Sequence, residues 1–365
     1  MKNWINIALI ATLAVSAGCA KVDVVETPGK PVSFTVGTYV PQTRGTSALD
    51  SLGITSFSSR AFLHGEGVDG AQRYFGTDAN PVETITYSKS GTVASWLPSH
   101  EYYWPKSSAS YVNFFSWCGG DPALTYALES GKYKATMTWS NVNTASLTNL
   151  MFADVAWHFN ANAKTYLKEY DGAKVEEGVP TLFHHALAQV KFVAKQKVVD
   201  NTGVTGFEVV VNNIELTGVK NTATSFTLTA TEPDGTDPTT TPWTVGENAW
   251  TGLSGNGTVT YTGPSAALST TTVTDLSETS VLPQPVEGMK LKVSFTVKTT
   301  YGTKVVEEAV VVDNISLTSF DGGITSWEFG KKIIYTIIID PDAKAIKLIP
   351  EESNWIDMGV YPLTV

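Results

Sequence analysis

Two residues near the N-terminus are of types that processing enzymes act on, and both stand in contexts that suit the chemistry. Arg44 lies in Pro41-Gln42-Thr43-Arg44-Gly45, a polar joint flanked by Gly. Exposed loop backbone of this kind is where proteases prefer to cut. Of the 25 basic residues only Arg44, Arg60 and Arg73 are arginine. Arg60 (SSRAFL) and Arg73 (AQRYFG) sit against apolar runs, so an Arg-specific protease has one good site, the Arg44–Gly45 bond. The ordinary alternative is a first strand followed by a surface arginine. Cys19 closes MKNWINIALIATLAVSAGC, which has one Lys, an apolar run from Ile5 to Val15 and small residues before the thiol. The run is shorter than the roughly 20 residues that span a bilayer core. Residues 1–18 therefore read as an export signal and are left out of the fold. Ala17-Gly18-Cys19 fits a lipobox, which would make Cys19 the acylated N-terminus, with Ser16 where Leu is usual. Cleavage after Val15-Ser16-Ala17 and plain secretion is the alternative.

Catalysis has no such footing. There is no Gly-x-Ser-x-Gly elbow, no phosphate-cradling Gly loop and no His-Glu-x-x-His. The five His are His64, His100, His158, His184 and His185, of which only the last two are neighbours. Adjacent residues on a strand point to opposite faces, so that pair cannot share a metal. Asp234-Gly235-Thr236-Asp237 and Asp340-Pro341-Asp342 lack the ligand spacing of a calcium loop and read as turns. The chain is read as non-enzymatic, with no cofactor and no metal. Ten Trp in an exported protein also raise sugar stacking as a possibility. Trp104, Trp117, Trp139 and Trp327 lie in or beside strand patterns and belong in a core. Trp243, Trp250 and Trp355 lie in loop-like contexts and are the candidate glycan contacts of an alternative reading, a surface glycan-binding lipoprotein.

The elements that must position Arg44 begin with Pro31–Gly37, PVSFTVG. Val32, Phe34 and Val36 alternate with Ser33, Thr35 and Gly37, the pattern of a half-buried strand running into a turn. At 365 residues the chain is long enough for two domains. Only 16% of residues are charged, against roughly 25% in soluble domains; Thr, Ser, Val and Gly fill the gap, as in exported all-β proteins. A net charge of −10 and a pI near 5.0 exclude a phosphate-neutralising patch and thus nucleic acid. Cys118 is the only other Cys, so no disulfide framework is expected and the thiol reads as a small buried group. Ala20–Lys30 reads as a tether. Asp121–Gly131 (DPALTYALESG) is the best helix, with Pro122 at its first position and Gly131 as its stop. Lys164–Pro180 is charged, Gly-rich and without strand pattern, and marks a domain boundary. Beyond it Ala188, Val190 and Phe192 alternate into a new sandwich, followed by strands at Phe207–Val219, Ser225–Thr229, Met289–Thr300, Thr303–Val312, Ile333–Ile339 and Ala345–Ile349. Many short strands with Thr-rich outer positions predict an all-β chain of two β-sandwiches in series with few short helices. Residues 45–178 would form the first and 179–365 the second.

Several weak motifs occur together in order: Cys19, Thr43-Arg44-Gly45, Tyr103-Trp104-Pro105, Val112-Asn113-Phe114-Phe115-Ser116-Trp117, Asn149-Leu150-Met151-Phe152-Ala153, Phe183-His184-His185-Ala186-Leu187-Ala188, Leu282-Pro283-Gln284 and Trp327-Glu328-Phe329-Gly330-Lys331 leading to Tyr335. In this arrangement the chain resembles the fimbrillin family over most of its length. The resemblance implies two transthyretin-like sandwiches and a structural subunit, stalk or tip, of a cell-surface fimbria that supports adhesion. It implies export to the outer membrane as a lipoprotein on Cys19, in a pro-segment of residues 19–44 that carries the first strand. An Arg-specific surface protease would cut after Arg44, the strand bearing Val32, Phe34 and Val36 would be displaced, and other subunits would fill its place by strand exchange. Ile356–Val365 (IDMGVYPLTV) is the candidate donor, with Ile356, Met358, Val360, Leu363 and Val365 apolar and a phase change at Pro362. The alternative is that this segment closes its own sandwich. A family member that keeps its lipid and strand, as a fimbrial anchor, is the other alternative.

Overall fold

A computed structural model describes residues 30–38, 54–65, 68, 70–90, 93–147, 149–162, 168–170, 173–175, 178–200, 202–263, 267–318 and 323–355. Cys19, Arg44, Gly45 and the segment 356–365 lie outside them. The described residues are all-β, with no helix.

The central feature of the N-terminal half is a hydrogen-bonded circuit of seven strands. Tyr111–Cys118 pairs with Ser56–His64 on one side and with Met151–Ala153 on the other. Met151–Ala153 pairs with Val179–His185, which pairs in parallel with the first strand, Phe34–Thr38. The first strand meets Val93–Pro98, and the circuit returns through Glu83–Ser90 to Ser56–His64. Every member sends alternate side chains inward, among them Phe34, Phe57, Ile85, Trp96, Phe114 and Phe183, into one buried cluster. Alternation with a period of two is what lets each strand give one face to that interior.

Tyr111–Cys118 (YVNFFSWC) is buried along nearly its whole length. Val112 and Phe114 face the interior of the circuit, while Phe115 and Trp117 face a second cluster beneath a four-stranded sheet. A strand covered on both faces reads as a continuous apolar run, which is why this stretch does not alternate. The covering sheet contains Ala123–Glu129, Lys132–Asn143, Thr222–Thr231 and Trp250–Thr251.

Two further four-stranded sheets enclose the third cluster. One holds Ala188–Gln196 and Lys331–Asp340 in a parallel pair; the other pairs Gly206–Val219 with Lys290–Tyr301. Leu291, Val293, Phe295 and Val297 face Ile333, Tyr335, Ile337 and Ile339 across this core. On Gly206–Val219 the buried positions switch phase from Val209 and Val211 to Ile214 and Leu216, because a bulge at Val211/Asn213 inserts one residue.

One expectation is corrected. The helix expected at Asp121–Gly131 is the strand Ala123–Glu129, paired to Lys132–Asn143. ALTYALE fits either period over so short a run; the hairpin is fixed by Ser130 (φ 52°) and Gly131 (φ 82°), two left-handed residues that make a two-residue turn matching strand twist. The domain boundary expected between 178 and 179 lies at the start of the strand Val179–His185. Val179–His185 completes the N-terminal circuit, and Thr222–Thr231 returns to cover it; the sheet change falls between His185 and Ala188. Beyond the turn at Asp234–Asp237, Thr239–Thr241 forms a strand against Val155–Trp157.

Candidate functional site

The first strand closes the circuit between Val179–His185 and Val93–Pro98. Phe34 to Thr38 run in register with Val179 to Phe183, and Phe34 also pairs with Trp96. Val32, Phe34 and Val36 are 2%, 5% and 5% exposed, as their alternation predicts. Phe34 contacts three rings, Phe57 at 5.5 Å, Phe114 at 5.7 Å and Phe75 at 6.2 Å between centroids. Gly178, just before the partner strand, has φ 145°, and a Cβ there would lie 2.5 Å from Thr35 Oγ1 and 2.9 Å from Thr35 N. Only glycine allows this approach.

Without the first strand, the facing edge of Val179–His185 would present unpaired backbone donors and acceptors, a template for pairing. Burying an aliphatic or phenyl side chain is worth about 1.5–3 kcal/mol. Three of them therefore supply about 5–9 kcal/mol, on the scale of a whole domain's stability of about 5–15 kcal/mol. An empty seat would therefore be costly.

Entry to this seat is held by backbone contacts from Tyr102 to Trp104. Val32 N–H donates to Tyr102 O (2.8 Å), Trp104 N–H donates to Lys30 O (3.0 Å), and Pro31 bridges Tyr103. Tyr103-Trp104-Pro105 was legible as an aromatic run; that its backbone grips residues 30–32 was not, because the contact spans some seventy positions. Gly178 could have been suspected only as one of many glycines.

A second concavity, of about 440 Å³, is lined by Phe152, Asp154, His184, Trp243, Phe329 and Trp355 among others. His184 Nε2 lies 2.7 Å from Asp154 Oδ1, while His185, also at the cleft, stacks on Trp355 at 3.7 Å with planes 3° apart. The two imidazoles thus have different partners. No hydroxyl or thiol side chain lines this cleft, and no group of three metal-binding side chains exists among the described residues.

The aromatic residues expected in exposed loops are a correction. Trp243 is 5% exposed and donates Nε1–H to Ala153 O at 2.8 Å; Trp355 is 8% exposed. Trp250 stacks on Phe226 at 4.4 Å in the strand Trp250–Thr251. All three pack in or against the core beneath the covering sheet, and Trp243 and Trp355 also line the cleft. Flanking Gly, Thr and Pro made them look like loop residues, but the nearest strands cover them. Trp104, Trp117, Trp139 and Trp327 are buried, as their strand contexts predict. Cys118 is half-buried and free, and burial raises its thiol pKa.

A family model described as fimbrillin-like matches residues 62–355. Among solved structures, a fimbrial protein from Bacteroides vulgatus aligns at 16% identity with a TM-score of 0.51, covering 89% of this chain and 99% of that one. The tip fimbrial protein Mfa3 from Porphyromonas gingivalis aligns at 9% identity and a TM-score of 0.25, covering 89% and 100%. No curated protein matches.

Proposed function

The chain belongs to the fimbrillin-like family, and from that premise we propose that it is a stalk or tip subunit of a cell-surface fimbria whose first strand is a temporary occupant of an acceptor groove. Export as a lipoprotein on Cys19 delivers it to the outer membrane with the groove filled. Cleavage between Arg44 and Gly45 by an Arg-specific surface protease separates the tethered strand from the body. The strand leaves, and Ile356–Val365 of another subunit, bearing Ile356, Met358, Val360, Leu363 and Val365, takes its place by adding a strand to the bared edge. Polymerisation thus waits for the surface, because the groove does not exist before the cut.

The observation that supports this reading most is the position of Phe34–Thr38 inside the circuit, a few residues before the cleavable arginine. A surface strand next to Arg44 would have given cleavage no structural consequence. The two transthyretin-like sandwiches implied by the family resemblance are supported by paired sheets around the cluster at Val293 and Tyr335 and by the layered N-terminal half.

The test is the N-terminus of protein sheared from cells, read by mass spectrometry, in wild type and Arg44→Ala. A start at Gly45 in wild type and a lipid-bearing, monomeric Arg44→Ala are expected. Acylated Cys19 on wild-type surface material, or polymers of Arg44→Ala, would overturn the proposal.

A further inference from the structure

Glu83 opens the strand Glu83–Ser90 and is only 2% exposed. Its carboxylate accepts hydrogen bonds from Ser99 Oγ at 2.8 Å, His100 N–H at 3.0 Å and Tyr102 O–H at 3.0 Å, and meets His100 Nδ1 at 3.1 Å. The Tyr102 hydroxyl in turn accepts the Gly76 N–H at 3.0 Å. One buried acid thereby organises Ser99–Tyr102, a segment outside any strand. Burial alone would raise its pKa, but the bonds from Ser99, His100 and Tyr102 outweigh that and hold it below the usual carboxylate range.

That segment is the one whose backbone grips the chain ahead of the first strand. Tyr102 O receives Val32 N–H, and Trp104 N–H reaches Lys30 O. Trp104, 4% exposed in the same core as Phe34, fixes the far end of the grip. Glu83 touches none of residues 30–32 in these bonds; it acts through the loop.

We propose that Glu83 and Ser99–Trp104 form a clasp that sets how long the first strand stays seated after the chain is cut at Arg44. The clasp rests on the proposed strand exchange and adds its timing. A cut at Arg44 frees the Thr38 end of the strand and leaves the Lys30–Val32 end held, so release peels from Thr38 and finishes at the clasp. The vacated clasp then offers one donor, Trp104 N–H, and one acceptor, Tyr102 O, to the incoming strand of a second copy. Glu83 is a positioning residue in this scheme.

The test uses the full chain, labelled at its N-terminus, cut after Arg44 by an Arg-specific protease and mixed with excess unlabelled peptide of residues 20–44. The rate of label loss is compared between wild type, Glu83→Gln, Tyr102→Phe and Val293→Ala. Val293 lies in the remote core, so its truncation lowers stability without touching the clasp. Loss of charge-assisted bonds predicts release at least about tenfold faster in Glu83→Gln and several-fold faster in Tyr102→Phe, with Val293→Ala at the wild-type rate. Wild-type rates in both clasp variants, or equal acceleration in Val293→Ala, would overturn it. Tyr102→Phe decides the matter if Glu83→Gln does not fold. Cut chains that exchange the peptide with these rate differences yet never form multimers would sink the subunit reading and uphold the clasp.

Discussion

Phe34 stands edge-on to Phe57, with ring centroids 5.5 Å apart and planes at 81°. The first of these rings belongs to the segment that the proposed cleavage removes and the second to the body that stays. The core of the uncut chain therefore includes side chains that the proposed cleavage would remove. Phe34→Ala should destabilise the uncut chain by about 3–5 kcal/mol, the usual cost of truncating a buried phenyl. Urea unfolding of uncut protein measures this, and a loss below about 1 kcal/mol would show that the strand is not part of the core.

Gly178→Ala should loosen the same seat from the other side. At φ 145° a Cβ would sit 2.5 Å from Thr35 Oγ1 and 2.9 Å from Thr35 N. Strained backbone of this kind costs about 1–3 kcal/mol. The expected result is a lower melting temperature in the uncut chain and faster loss of the first strand once cut. An unchanged melting temperature would mean that Gly178 is not held in this conformation.

Removal of residues 356–365 tests the donor assignment. The truncation ends at Trp355, which is buried against His185 and is kept. Truncated protein cut at Arg44 should elute from size exclusion as a monomer while the intact chain forms ladders. Ladders from the truncated chain would assign the donor strand elsewhere.

Acid should weaken the N-terminal half through His64. This imidazole is 3% exposed, lies 2.9 Å from the Tyr126 hydroxyl and has its pKa lowered from 6.5 to about 4. Burial is the main cause; Glu232 opposes it and His158 adds to it. The unfolded chain binds the proton first, so the stability His64 contributes is complete above pH 6.5 and is lost as pH falls towards 4. Between pH 7 and pH 5 the loss is about 2 kcal/mol. Chemical unfolding at the two pH values should show it, and His64→Gln should remove most of the slope. An equal slope in that variant would place the acid sensitivity elsewhere.

Period-two alternation was enough to read most of the long strands, the inward face of Val32, Phe34 and Val36, and the inward faces of Leu291–Val297 and Ile333–Ile339. These are local properties, since a side chain's face on a strand depends only on its position along that strand. Family membership was also legible, because it rests on residue types in order.

Partner choice was decided by the tertiary structure. ALTYALE became a strand because Lys132–Asn143 lies beside it, and Val179–His185 joined the N-terminal circuit because Phe34–Thr38 pairs with it from some 145 residues away. Trp243 and Trp355 are buried by sheets that the intervening sequence does not announce. Glu83 looks like any polar residue in an alternating strand until Ser99, His100 and Tyr102 converge on it. A residue's own periodicity sets which way it points, but what it meets there is fixed by contacts between segments far apart in the chain, and no local pattern encodes them.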